Sequence, residues 1–532
     1  MMDDRRSTER IDRWPALAAT VVAAALIVRV LHVLFTSRMN PLAADLQLDA
    51  ATYDRWARAL AFGGNPGPTT LMQAPLYPWF LSVVYRVVGP SLTAVRFIQA
   101  LLGTATCSLV IYGTRRFFES WLAAIVAGAA TALYAPLIFY EGILVPATLI
   151  VFLQALLIAI LAGRRGPPGM PRSLAAGIVL GASVIGHPVA LVLLPFALLH
   201  LAFMGGLHGE SGANVHLGDR PRRRAPLAAR AGILMAGVII ATAPLTIRNA
   251  VHTGEFILLT TGGGINFYIG NNPDANGYYA VPSYQGRSLG GTPEEQSRNM
   301  LEIASEASGR RLSQSQVSTF WFGAGLHYIR SEPRQWSALL WDKFLFFWNG
   351  YERANVENFS FHRRFPGVLR LPLVTFGLLA PLGLLGVFLT RERWRELSLL
   401  YGGILTYLFA GLAFYVLARY RLPILPFLAP FTGAAVAELA ALGRSRRTAE
   451  LLVSFAALAA LALFCNARVA RDTPIGIANA YTRLGSVYVA RGDTTSAIGA
   501  YREALKSDPQ NASAREALRR LEKGRNTRTE YR

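Results

Sequence analysis

The residues best suited to acid–base work stand just past the first apolar run of the chain. Asp45, Asp49 and Asp54 fall within residues 45–60, a stretch patterned as a short amphipathic helix. An ionised carboxylate there is a ready proton acceptor for a hydroxyl or an amine. Asp49 is the candidate base. Asp54, five residues on, leaves the helix on another face, and Asp45 and Asp54 read more naturally as loop or helix-end carboxylates. Glu141 follows Tyr140 at the end of a later apolar segment. It is a second acid of the site, a partner of Asp49 in holding a divalent ion such as Mg or Mn, or a plain helix-end residue. Arg419 and Arg421 open another apolar run, where two guanidiniums either fork onto a phosphate or anchor a helix end at an interface. Lys343, in a Trp-rich segment, and Arg248 are further phosphate candidates or snorkelling cations. Tyr53 and Tyr77 suit the wall of a substrate groove and equally an interfacial aromatic belt. His187, before Pro188, reads as a histidine at a helix break.

These residues are spread over 532 positions, so the elements that gather them matter. Hydrophobic residues make up 52% of the chain and charged residues 16%, a balance that points to a polytopic membrane protein. The net charge of +21 raises nucleic-acid binding, but the Arg clusters fall between apolar runs and no basic domain stands free of them, so no nucleic-acid partner is expected. Cys107 and Cys465 both lie in apolar segments and give neither a disulfide framework nor a metal-ligand spacing.

The expected fold is all-α, a transmembrane bundle of about eleven spans near 14–35, 95–113, 121–139, 142–162, 172–186, 188–204, 229–247, 368–389, 397–417, 422–441 and 449–466. The first run, after the charged start Asp3–Arg13, lacks a small-residue cleavage pattern and reads as a retained span. Residues 36–92 form a first external loop, with an interfacial helix from Ala74 to about Val88, and 249–365 form a large one. Arg115-Arg116, Arg164-Arg165, Pro221–Arg224, Arg391–Arg395 and Arg444–Arg447 mark the cytoplasmic side, which puts the N-terminus inside and the C-terminus outside. The Gly262–Gly264 run is not a phosphate-cradling loop, since no Gly-Lys-Ser/Thr follows it. Residues 477–511, with Tyr481, Leu484, Gly485, Tyr488, Gly492, Ala497, Tyr501, Ala504 and Pro509, resemble a tetratricopeptide repeat. A lone repeat buries its own face poorly, so it is expected on the external loops or on a protein partner. A basic tail, 512–532, follows.

Several short motifs recur in a familiar order: an acidic residue and a Tyr in the first outer loop, Pro75-Leu76-Tyr77-Pro78, Arg248-Asn249, Gly270-Asn271-Asn272-Pro273 and Arg419-Tyr420-Arg421-Leu422-Pro423. On these, residues 15–440 resemble bacterial polytopic glycosyltransferases of the GT-C fold, of the protein mannosyltransferase and aminoarabinose transferase type (family 39-like). The family often carries an Asp-Glu pair in the first loop; here Ala50 follows Asp49. The resemblance implies a GT-C domain over 1–470 in a bacterial inner membrane. It implies a polyprenyl-phosphate sugar donor and an extracytoplasmic protein or glycolipid acceptor. Asp49 would then be the base, and Arg419 with Arg421 would hold the phosphate. The rival functions are a transporter or flippase of lipid-linked glycans, which would need charges near mid-membrane, and a non-catalytic scaffold working through the repeat.

Overall fold

The computed structural model describes residues 2–67, 71–163, 168–209, 226–354, 357–469 and 473–530, with side chains from residue 13 onward except 206–209 and 524–530. Arg164-Arg165 and Pro221–Arg224 lie outside the described residues.

The chain is helical almost throughout; among the described residues the one sheet is a hairpin of Ser283–Tyr284 with Arg287–Ser288. Among the described residues six helices are long and apolar enough to cross a bilayer: Arg13–Met39, Leu92–Phe118, Pro188–Gly205, Leu227–Thr253, Ala418–Arg444 and Thr448–Cys465. The other five expected spans are apolar but shorter: Trp121–Ala132, Ala147–Leu161, Met170–Gly186, Phe376–Leu389 and Ser398–Ala413. Three of these interruptions have a local cause. After Ala132 the chain turns extended, with Ala135 N donating to Val374 O (2.8 Å) and Val374 N to Leu133 O (3.0 Å), and Pro136 then opens a new short helix, Ala135–Glu141. Met170–Gly186 stops ahead of Pro188, which disfavours helix at the residue before it. Ser398–Ala413 stops where the Phe414 carbonyl crosses Gly270, so closely that a Cβ there would sit 1.9 Å away.

The bundle is the main core, built around residues such as Leu157, Leu180, Leu193, Leu425, Phe427 and Phe431. A smaller core lies in the outer region, where Ile265, Ile269, Met300, Val317, Trp321, Tyr415 and Leu417 pack together. The glycine run serves this packing: a Cβ on Gly262 would meet Met72 O at 2.5 Å and one on Gly264 would meet Ser318 O at 1.8 Å. Helix Pro293–Ala307 starts with a capping box, Thr292 with Glu295, which satisfies its first free N–H groups.

The tail folds as an antiparallel pair, Pro474–Ala490 and Thr494–Ser507, followed by Ala512–Glu530. It docks on the chain's own loops. Leu484 and Ala500 share an apolar cluster with Leu42 and Phe361, so the tail sits at the same end of the bundle as the loop that leads to Asp49.

Candidate active site

Helix Leu48–Phe62 carries Asp49 in its first turn. The chain enters it through Leu48 at φ 49°, a left-handed conformation that is uncommon for a residue with a side chain. Tyr53, Trp56 and Ala57 are buried and hold the helix to the bundle. Its outer side is tied to the capped helix: Thr52 Oγ1 donates to Glu294 Oε1 (3.2 Å), and Arg55 pairs with the same carboxylate. Backbone bonding closes the roof, where Thr261 N donates to Leu71 O at 2.8 Å.

Beneath that roof lies a cavity of about 1600 Å³, counted out to its mouth, bordered by Asp49, Tyr53, His187, Tyr279, Tyr415 and Arg419 among others. Its charged centre is one ion pair. Arg419 Nη1 stands 2.6 Å from Asp49 Oδ2, with the two side chains 8% and 17% exposed. Gln73 Nε2 donates to Asp49 Oδ1 at 3.1 Å. Arg419 Nη2 donates to Tyr420 OH (3.0 Å), while its Nε is buried with no partner. The Arg419 guanidinium is therefore held on one side and spare on the other. A guanidinium at the edge of a cavity is a group that an anion can pair with.

The walls are aromatic and weakly polar. Tyr415 OH donates to Asn266 Oδ1 (2.6 Å), and its ring meets those of Tyr279 (5.7 Å) and Tyr420 (5.8 Å). Gln296 bonds the Tyr279 hydroxyl. His187 faces Tyr420 at 5.7 Å, and its buried Nδ1 has no partner. Burial and the Asp49 charge both hold the Tyr53 phenol above its ordinary pKa, so it is a neutral hydroxyl at working pH. A cavity that mixes ring faces with hydroxyl and amide groups suits a polar ligand with apolar faces.

Other candidates go elsewhere. Glu141 is sealed against Arg29, with Nε to Oε1 at 2.9 Å and exposures of 0% and 1%. Arg29 also donates to Ala132 O (2.9 Å), so it clasps helices and does not snorkel. Glu141 is thus a helix clasp and gives Asp49 no acidic companion for an ion. Among the described residues no three His, Cys, Asp or Glu side chains gather as a metal site. Arg421 borders the cavity but its donors are spent on Glu352 (2.9 Å), Phe347 O (2.9 Å) and Asn349 O (2.5 Å), so it cannot join Arg419 in a fork. Lys343 is fully buried behind the cavity wall, donating to Leu412 O (3.0 Å) and Asn271 Oδ1 (3.4 Å); burial pulls its pKa down to about 7. Tyr77 stands behind Tyr53 (5.5 Å between rings) and donates to Gln99 (2.7 Å). Arg248 is half-buried and does not line the cavity; its Nη1 is unpartnered. Asp45 pairs with Arg483 and Asp54 with Arg58, both structural. Sequence reasoning did not single out Gln73, Tyr279 and Tyr415, in loops, or Asn266 and Gln296, on the short outer helices, because none carries a chemical signature; it read His187 as a histidine at a helix break, and the structure places it at the cavity.

No family model matches the sequence, and no curated protein does. Among solved structures the chain is similar to the Archaeoglobus fulgidus oligosaccharyltransferase in its apo form, at 13% identity and a TM-score of 0.45, over 87% of this chain and 57% of that one. It is also similar to the same organism's oligosaccharyltransferase AglB in complex with an inhibitory peptide and a dolichol-phosphate (14% identity, TM-score 0.41, 88% and 58%). A third likeness is to ArnT from Cupriavidus metallidurans bound to undecaprenyl phosphate (15% identity, TM-score 0.35, 80% and 78%). The chain spans a little over half the length of the archaeal protein. At this level the likeness is one of helical course alone.

Proposed function

We propose that this chain is a multi-pass membrane glycosyltransferase of GT-C type. It moves a sugar from a polyprenyl-phosphate carrier to a hydroxyl or amine of a protein or glycolipid on the outer face of a bacterial inner membrane. The observation that carries this reading is the Asp49–Arg419 pair in the wall of an aromatic cavity, joined to the order of motifs in the sequence.

The chemistry divides between the two residues. The acceptor oxygen or nitrogen attacks the anomeric carbon and gives its proton to Asp49 Oδ2. The bond from that carbon to the phosphate oxygen breaks, and the electron pair leaves with the polyprenyl phosphate. Negative charge then grows on the leaving oxygen, where the Arg419 guanidinium stabilises it. Ring faces such as Tyr279 and Tyr415 suit the sugar, and attack from the side opposite the phosphate inverts the anomeric centre.

The transporter alternative would draw on intramembrane charges such as the Arg29–Glu141 pair, which is sealed away from the cavity. The deciding experiment supplies a radiolabelled polyprenyl-phosphate sugar to membranes holding the chain or its Asp49→Asn variant. Transfer should be lost in the variant; a correctly inserted Asp49→Asn protein with undiminished transfer would overturn the reading.

A further inference from the structure

We propose that the C-terminal hairpin is a clamp on the loop entering the Asp49 helix, with Arg483 as its positioning residue. The clamp itself follows from geometry; its effect on turnover rests on the transfer reaction proposed above.

One side chain joins three parts of the chain. Arg483 Nε donates to Asp45 Oδ2 (2.6 Å) and its Nη2 to Asp45 O (2.5 Å). Its Nη1 donates to both oxygens of Glu357 (2.8 and 2.9 Å). The guanidinium is 19% exposed and Glu357 only 11%, so these are partly desolvated, charge-assisted bonds. Glu357 also takes a bond from His362 Nε2 at 2.9 Å. The His362 Nδ1 lies 3.1 Å from Asn40 Nδ2, its donor, at the end of the first span. Arg491 Nη2 donates to Pro41 O (2.6 Å), and Arg364 bonds the Tyr481 hydroxyl. Both faces of the 40–45 turn are thus held by the tail or by a loop the tail holds.

The turn needs holding. Leu48 sits at φ 49° between Asp45 and Asp49, and such a conformation persists only where its surroundings over-determine it. Asp49 is fixed from one side by Arg419 and Asp45 from the other by Arg483. With Arg483 removed, the Asp45 and Glu357 carboxylates lose the cation between them, and Leu48 is free to relax to an ordinary φ. Asp49 would then swing with the first turn of its helix.

The test uses the full chain in detergent. Arg483→Ala should raise hydrogen exchange across residues 41–53 and leave 293–307 as in the wild type. Transfer kcat should fall on the order of tenfold, with the KM for the lipid donor within about twofold, as expected when a base is misplaced and binding is kept. Arg483→Lys, which keeps the charge but not the fork, should recover part of both. Wild-type exchange at 41–53 in a folded Arg483→Ala protein would overturn the clamp. Raised exchange with wild-type kcat would overturn the positioning role. Where Arg483→Ala does not fold, Asp45→Asn gives the same comparison with Arg483 still on Glu357. A wild-type chain without transfer activity would overturn the transferase reading, and the exchange measurement would still decide the clamp.

Discussion

Arg419 and Arg421 stand two residues apart and each pairs with a carboxylate, yet their surroundings differ. The Arg421–Glu352 pair is sealed, at 3% and 5% exposure, and the guanidinium lies 3.8 Å over the Phe376 ring while bonding three carbonyls. Burial raises the Glu352 pKa against the pull of Arg421. It fixes the 347–352 segment to the start of the span. The Arg419–Asp49 pair is more open, borders the cavity and keeps a free Nε. Buried ion pairing by itself therefore says little about chemistry; a pair that borders a cavity says more.

Four measurements sharpen or break that contrast. Asp49→Asn should reduce transfer by about 10³, the range for loss of a general base, with a smaller loss of thermal stability than at the sealed pair. Arg421→Met should act the other way: it strands Glu352 and costs about 3–5 kcal/mol of stability, seen as a lowered Tm and poor recovery from membranes. If Arg421→Met were as stable as wild type and inactive, the division between the two arginines would fail. The double change Arg29→Met with Glu141→Leu replaces a sealed pair by apolar groups and should stay within about 2 kcal/mol of wild type, with transfer retained; loss of transfer would return Glu141 to the site. The last measurement concerns Lys343, whose folded pKa of about 7 lies below its ordinary 10.5. Between those values the unfolded chain binds more protons than the folded one, so stability rises with pH across that window and falls back toward pH 7. Lys343→Met should flatten that slope in thermal unfolding.

Much of the helical layout was legible because apolar runs and Arg-rich turns alternate over hundreds of residues. The lengths of five helices were not, because their ends depend on backbone crossings such as Phe414 over Gly270 and Val374 beside Tyr134. Asp49 and Arg419 stood out as charges at the edges of apolar runs. Glu141 and Arg421 stood out by the same signal and are structural. The residue type at a span end does not say which neighbour the side chain will meet. One cue was available: residues two apart in a helical turn point about 200° apart, so Arg419 and Arg421 were poor candidates for one shared fork. Docking of the tail on the loops was one of two expectations; the residues that make it were not legible, since Arg483, Asp45 and Glu357 come from three distant stretches.

The short helices have a bearing on the lipid itself. Helix Ser398–Ala413, at 16 residues, is about 24 Å long, and Phe376–Leu389, at 14 residues, about 21 Å, against a hydrocarbon core of about 30 Å. Where these helices meet lipid, through side chains such as the exposed Leu405, Phe409, Leu378 and Phe388, a bilayer adapts to the mismatch by thinning. Since Ala410 and Gly411 at the end of the first of these helices border the cavity, the thinned patch would lie beside it. On the proposed transfer reaction, a carrier headgroup diffusing along that leaflet would ride lower there, shortening its path from the membrane surface to Arg419.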